Sequence, residues 1–123
     1  MNSSNGPILI VEDVPNVLEL LEVTLRFKGY AVITARNGEE ALEVISQQRP
    51  VLIITDILMP KMDGYEMVQL LRREQTGNRA RIIGVSSSGA LDARTKAFRT
   101  MCDTFLTKPF MPNELVEKLN CLA

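Results

Sequence analysis

Val51-Leu52-Ile53-Ile54-Thr55-Asp56-Ile57-Leu58-Met59-Pro60-Lys61-Met62-Asp63-Gly64 is the stretch that decides how this chain folds. Its first five residues are a continuous run of mainly β-branched, apolar side chains, the pattern of a strand buried on both faces of a parallel sheet. Asp56 ends the run, and a carboxylate at the end of a buried strand costs free energy unless something pairs with it or uses it. A turn sequence with Pro60 and Gly64 follows. The same design recurs along the chain: Ile8-Leu9-Ile10-Val11 precedes Glu12 and Asp13, Ile82-Ile83-Gly84-Val85 precedes Ser86, and Phe105-Leu106-Thr107 precedes Lys108. Four strand ends thus carry two acidic sites, a hydroxyl and an amine. That is the inventory of one charged pocket.

Helical patterns separate these runs. Residues 7–12 are expected to form the first strand, and 15–28 a helix with Pro15 near its start and Val14, Val17, Leu18, Leu21 and Leu25 along one face. Leu20 and Phe27 widen that stripe and are expected in the core, with contact to a helix pair of a kinase as the alternative. Gly29 stops the helix. A weaker strand spans 30–35, and Asn37 with Glu40 three residues on opens a helix that ends before Pro50. After the third strand at 51–55, Asp63 with Glu66 opens a helix to about Glu74, and Gln75-Thr76-Gly77-Asn78 turns the chain into a strand at 81–86. A more polar helix at about 90–100, a strand at about 103–107 and a helix from Pro112 with Leu115, Val116, Leu119 and Leu122 inward complete five βα units. Alternation of this kind predicts an α/β fold with an open, doubly wound parallel sheet, whose ligands bind beyond the carboxyl ends of the strands. Every chemistry-bearing strand terminus falls at such an end.

The bulk numbers agree with one ordinary domain. The chain has 123 residues, 46% hydrophobic and 24% charged, the composition of a soluble globular protein. Its net charge of −1 offers no electrostatic case for nucleic acid. No apolar stretch approaches a membrane span, and the N-terminus lacks the basic and apolar regions of a signal peptide. Two cysteines, Cys102 and Cys121, with no histidine, make no zinc site and suit a reducing cytoplasm. Residues 1–6 are expected to be a disordered or extended lead-in to a domain at 7–123.

Three crowded carboxylates repel, each pair by on the order of 4 kcal/mol at about 4 Å and an effective dielectric near 20. Protonation or a divalent cation relieves this. Hard oxygen donors without histidine or thiolate favour Mg²⁺, with Mn²⁺ an alternative, and leave coordination positions for water and phosphate. The Lys108 amine and Ser86 hydroxyl are suited to hold oxygens of a phosphoryl group. Asp56 is the candidate nucleophile, because carboxylates form aspartyl-phosphate intermediates.

Residues 8–13 (ILIVED), 53–64 (IITDILMPKMDG), 82–87 (IIGVSS) and 105–109 (FLTKP) resemble, in order and spacing, the motifs of two-component response-regulator receiver domains. The resemblance covers essentially the whole chain and implies a flavodoxin-like fold with strand order 2-1-3-4-5. It implies that Asp56 takes a phosphoryl group from a histidine kinase or histidine phosphotransfer protein. Mg²⁺ would lie at Asp13 and Asp56, with Glu12 assisting largely through water and the main-chain carbonyl of Leu58 a further ligand. Ser86 matches the family's switch hydroxyl, Lys108 its lysine and Phe105 its switch aromatic, and the Lys108–Pro109 bond matches one that is cis. Phosphorylation would then reshape the fourth helix, fifth strand and fifth helix for a downstream protein effector. The protein would be cytoplasmic, a monomer or a phosphorylation-promoted dimer, and a phospho-acceptor regulator rather than an enzyme, without nucleic-acid or membrane partners of its own.

Departures from the family pattern bear on detail. Met101-Cys102 replaces a common glycine-alanine at the stop of the fourth helix, and Val14 replaces a common acid. Leu58 and Ser88 occupy variable positions that tune how fast water reaches the acyl phosphate; apolar Leu58 predicts a long-lived one. Among rival functions, an aspartyl phosphatase wants a second acid two residues after its nucleophile, where Leu58 stands. A flavin carrier needs a phosphate-binding loop after the first strand, where Glu12 and Asp13 stand. A phosphorylation-independent interaction domain is the remaining alternative.

Overall fold

Strands arise where the apolar runs are continuous, and helices where apolar residues recur every three or four positions. The computed structural model describes residues 6–59, 61–74, 80–87 and 93–122. In chain order these form β1 (Ile8–Val11), α1 (Pro15–Phe27), β2 (Val32–Ala35), α2 (Gly38–Gln48), β3 (Leu52–Asp56), α3 (Gly64–Glu74), β4 (Arg81–Ser87), α4 (Ala93–Met101), β5 (Thr104–Lys108) and α5 (Pro112–Leu122). The five strands pair in parallel in the order β2-β1-β3-β4-β5. The fold is the expected doubly wound, flavodoxin-like (βα)5 sheet. The expected lead-in at 1–6 falls almost entirely outside the described residues, as do the turn at 75–78, Ser88 and the start of the 90–100 helix.

Side-chain alternation along each strand feeds two cores. Ile8 and Ile10 of β1 join Leu18, Leu21 and Leu25 of α1 and Leu115 and Leu119 of α5 on one face. Leu9 and Val11 join Ala41 of α2, Met67, Val68 and Leu71 of α3 and Phe98 of α4 on the other. Backbone ends are closed locally. After α1, the Gly29 N–H donates to the Arg26 carbonyl and the Tyr30 N–H to the Leu25 carbonyl, with Gly29 at φ 98°. That double closure needs a left-handed residue, and glycine adopts it without strain. Asn37 accepts the Glu40 N–H and Asp63 accepts the Glu66 N–H through their side chains, as a helix N-cap should. Glu40 does not close a reciprocal capping pair with Asn37: its carboxylate takes the Arg36 N–H.

The α1 stripe corrects the sequence reading. Leu20 and Phe27 are not core; Phe27 is 86% exposed, and Leu20 and Val23 are also open to solvent. Each lies two residues beyond a buried leucine (18, 21 and 25), about 200° round the helix at 3.6 residues per turn. The two stripes therefore face opposite ways. Val14 likewise stands outside the helix as its extended N-cap, exposed rather than inward.

Candidate functional site

Register brings the strand ends to one level. Val11 is opposite Thr55, so Glu12 stands beside Asp56, and Asp56 is opposite Val85, with Ser86 one residue further. Ser87 is opposite Lys108. β3, β4 and β5 end one residue later than expected, so Asp56 and Lys108 are the last residues of β3 and β5 and Ser86 is the penultimate residue of β4, whereas β1 stops one residue short, at Val11. Parallel pairing fixes these heights, because slipping one strand by a residue would turn every side chain to the opposite face.

Lys108 Nζ lies 2.5 Å from Asp56 Oδ2 and 3.3 Å from Glu12 Oε1. The second oxygen of each acid is also engaged: the Leu58 N–H donates to Asp56 Oδ1 at 3.3 Å and the Val14 N–H to Glu12 Oε2 at 3.1 Å. Glu12 is 3% exposed and Asp56 7%, while Asp13 is partly open. Carboxylate oxygens of Glu12, Asp13 and Asp56 all lie within 4.8 Å of one another. Burial pushes the Glu12 carboxyl above the usual carboxylate range, against the opposing pull of the Val14 N–H and the Lys108 charge. Burial by itself would lower the Lys108 ammonium, but its hydrogen bond to Asp56 and the charges of Asp56 and Glu12 raise it overall. The site is three acids around one firmly protonated amine.

The loop after Asp56 is held by its own backbone. Gly64 N–H donates to the Ile57 carbonyl at 2.8 Å, and a Cβ on Gly64 would collide with the Asp56 carbonyl oxygen. Only glycine lets α3 begin so close to the acid. Leu58 is 67% exposed beside the pocket, and the Lys108–Pro109 bond is cis. Ser86 is buried at the end of β4. Phe105, on β5, is half-buried: its ring meets Phe98 edge-on at 5.9 Å, and the Arg99 guanidinium sits 4.6 Å above it. The structure thus brings Glu12, Asp13, Asp56 and Lys108 directly together, with Ser86 at the same sheet edge. Sequence patterning singles out neither Arg99 nor Arg94, because long-range stacking leaves no local signature.

A donor set of three carboxylates, without nitrogen or sulfur, suits a hard divalent cation such as Mg²⁺. No helix among the described residues is long and apolar enough to cross a membrane.

The family model described as "Response regulator receiver domain" matches residues 8–120. "Probable transcriptional regulator ycf27" of Pyropia yezoensis is 38% identical over 119 residues, which are 97% of this chain and 48% of that protein. The chain spans about half the length of the curated relatives it matches. Among solved structures, the signal receiver domain of a signal transduction histidine kinase from Syntrophus aciditrophicus is 38% identical, with a TM-score of 0.84 over 95% of this chain and 89% of that one. The response regulator TrrA of Thermotoga maritima, solved in complex with Mg(2+)-BeF, is 35% identical, with a TM-score of 0.82 over 96% of this chain and 99% of that one. With the acids, the lysine and the strand order all in their places, this chain belongs to the response-regulator receiver domains of two-component signalling systems.

Proposed function

We propose that Asp56 accepts a phosphoryl group from the phosphohistidine of a partner kinase or phosphotransfer protein in the cytoplasm. The observation that carries this reading is the Asp56 carboxylate held at 2.5 Å by Lys108 among three converging acids. An Asp56 oxygen attacks phosphorus, the P–N bond breaks, and its electron pair returns to a ring already protonated at its other nitrogen, so that the imidazole leaves neutral. Asp13 and Asp56, with Glu12 and the Leu58 carbonyl in support, would hold Mg²⁺, which supplies positive charge to the transferring oxygens. Lys108 would take another of those oxygens, and Ser86 a third. Movement of Ser86 towards the new group then frees Phe105 to rotate and reshapes α4, β5 and α5 for an effector. The chain acts as a phosphorylation-controlled regulator, not as an enzyme turning over an external substrate.

Incubation with acetyl phosphate and Mg²⁺ should add one phosphoryl mass to the wild type and none to Asp56→Asn. BeF₃⁻ with Mg²⁺ should shift amide signals of β4 and β5. An unmodified wild type with silent amides in both strands would overturn the proposal.

A further inference from the structure

Apolar burial holds α4 weakly. Of its residues only Thr95 and Phe98 are buried, whereas α1 buries three leucines and α3 buries Met67, Val68 and Leu71. Arginine supplies much of the remaining attachment. At the first turn, Arg94 Nε and Nη2 lie 3.1 and 2.8 Å from one oxygen of Asp63, and the same guanidinium sits 4.6 Å over the Tyr65 ring. Asp63 is itself immobilised, since its other oxygen caps α3 through the Glu66 N–H. At the last turn, Arg99 lies over Phe105. The two arginines tie α4 to the loop that follows Asp56 and to the strand that ends in Lys108.

Resting on the switch reading above, we propose that Arg94 is a latch that holds α4 in its unphosphorylated position, so that phosphorylation must open it to remodel the α4 surface. The contacts belong to the arrangement in which Lys108 bonds the Asp56 carboxylate directly. A contact made in only one of two states biases the equilibrium towards that state. Removing it therefore favours the other state, and ligands of that state bind more tightly. Loss of fold integrity would have the opposite sign. Lysine at position 94 keeps the charge but loses the fork and the flat stacking face. Asparagine at position 63 keeps the cap and loses the charge.

The test compares wild type, Arg94→Ala, Arg94→Lys, Asp63→Asn and the Arg94→Ala/Asp63→Asn double variant. BeF₃⁻ is titrated at fixed Mg²⁺ and followed by amide shifts in β4 and β5. Arg94→Ala should bind BeF₃⁻ about three- to tenfold more tightly, with Arg94→Lys and Asp63→Asn in between. The double variant should gain little over Arg94→Ala, because both changes break the same tie. In protein without BeF₃⁻, α4 amides should exchange faster in Arg94→Ala while sheet amides keep the wild-type rate. Equal or weaker BeF₃⁻ binding by Arg94→Ala, or unchanged α4 exchange, overturns the latch. A wild type that does not respond to BeF₃⁻ overturns the functional reading instead, while the exchange comparison still judges the tie.

Discussion

Two oxygens of Asp56 have two different partners, and that asymmetry shapes what the residue can do. Oδ2 is held by Lys108 at 2.5 Å and Oδ1 by the Leu58 N–H at 3.3 Å. The shorter, charge-assisted bond is the stronger, which leaves Oδ1 as the more readily displaced and the better placed to attack phosphorus. Leu58, whose backbone touches that oxygen, turns an apolar side chain to solvent beside it. Such a side chain neither orients nor activates a water. Leu58→Asn supplies an amide that does, so protein loaded with acetyl phosphate and freed of donor should lose its phosphoryl group several-fold faster than wild type. Mass spectrometry over time measures this, and a lifetime equal to or longer than wild type refutes it. Cys102 shows how differently burial treats a residue whose opposing charge does not offset it. Its thiol is pushed up to about 12 by desolvation, only partly countered by Arg72, which makes it an inert packing group rather than a nucleophile.

At the scale of elements, the β4–α4–β5 contact is a tight joint near the site. A Cβ on Gly84 would come within 2.6 Å of Cys102 Sγ, 2.7 Å of Phe98 Cε2 and 3.0 Å of Phe105 Cδ1. Glycine there lets α4 and the Phe105 ring sit down on β4, and Cys102 fills the remaining gap with its Sγ 3.2 Å from the Phe98 carbonyl. Gly84→Ala should cost about 1–3 kcal/mol in urea unfolding, the usual range for overpacking a core. It should also displace the Phe105 ring signals more than those of Phe110, on the opposite core. A neutral effect on both would mean that the joint is loose. The sequence shows the elements themselves because strand and helix periods are local, and it shows Glu12, Asp13, Asp56 and Lys108 because strand ends of a parallel sheet converge. It puts Leu18, Leu21 and Leu25 on one face of α1, as the structure does, but it does not show that Leu20 and Phe27 turn away from that face, since 20, 23 and 27 make an equally good helical stripe. The ties of Arg94 and Arg99 to aromatic rings on other elements are hidden for the same reason: they depend on tertiary placement.

Across the whole molecule, the two cores stabilise while the carboxyl end of the sheet works against them. If Glu12, Asp13 and Asp56 are all ionised, Lys108 leaves a local charge of −2. At 4.8 Å or less and an effective dielectric near 20, each acid pair costs on the order of 3–4 kcal/mol before the lysine and solvent respond. The upward displacement of Glu12 comes first from burial, with the Asp56 charge a smaller addition. A cation bound only by the folded chain stabilises it by mass action, by about 2.7 kcal/mol at a hundredfold excess over its dissociation constant. Mg²⁺ should therefore raise the urea midpoint of wild type with little change in slope, since the surface exposed on unfolding is the same. A matched rise in ionic strength with NaCl should do much less, because screening is weak for buried groups. Asp13→Asn removes one repelling charge and one proposed metal ligand together. Without Mg²⁺ it should be as stable as wild type or more so, and with Mg²⁺ it should gain little, so the two unfolding curves should change order as the metal is added. A single substitution that reverses rank with one ion cannot be explained by lost packing, which would weaken the variant under both conditions. If Asp13→Asn stayed below wild type without Mg²⁺, the repulsion would not be the dominant cost at this edge of the sheet.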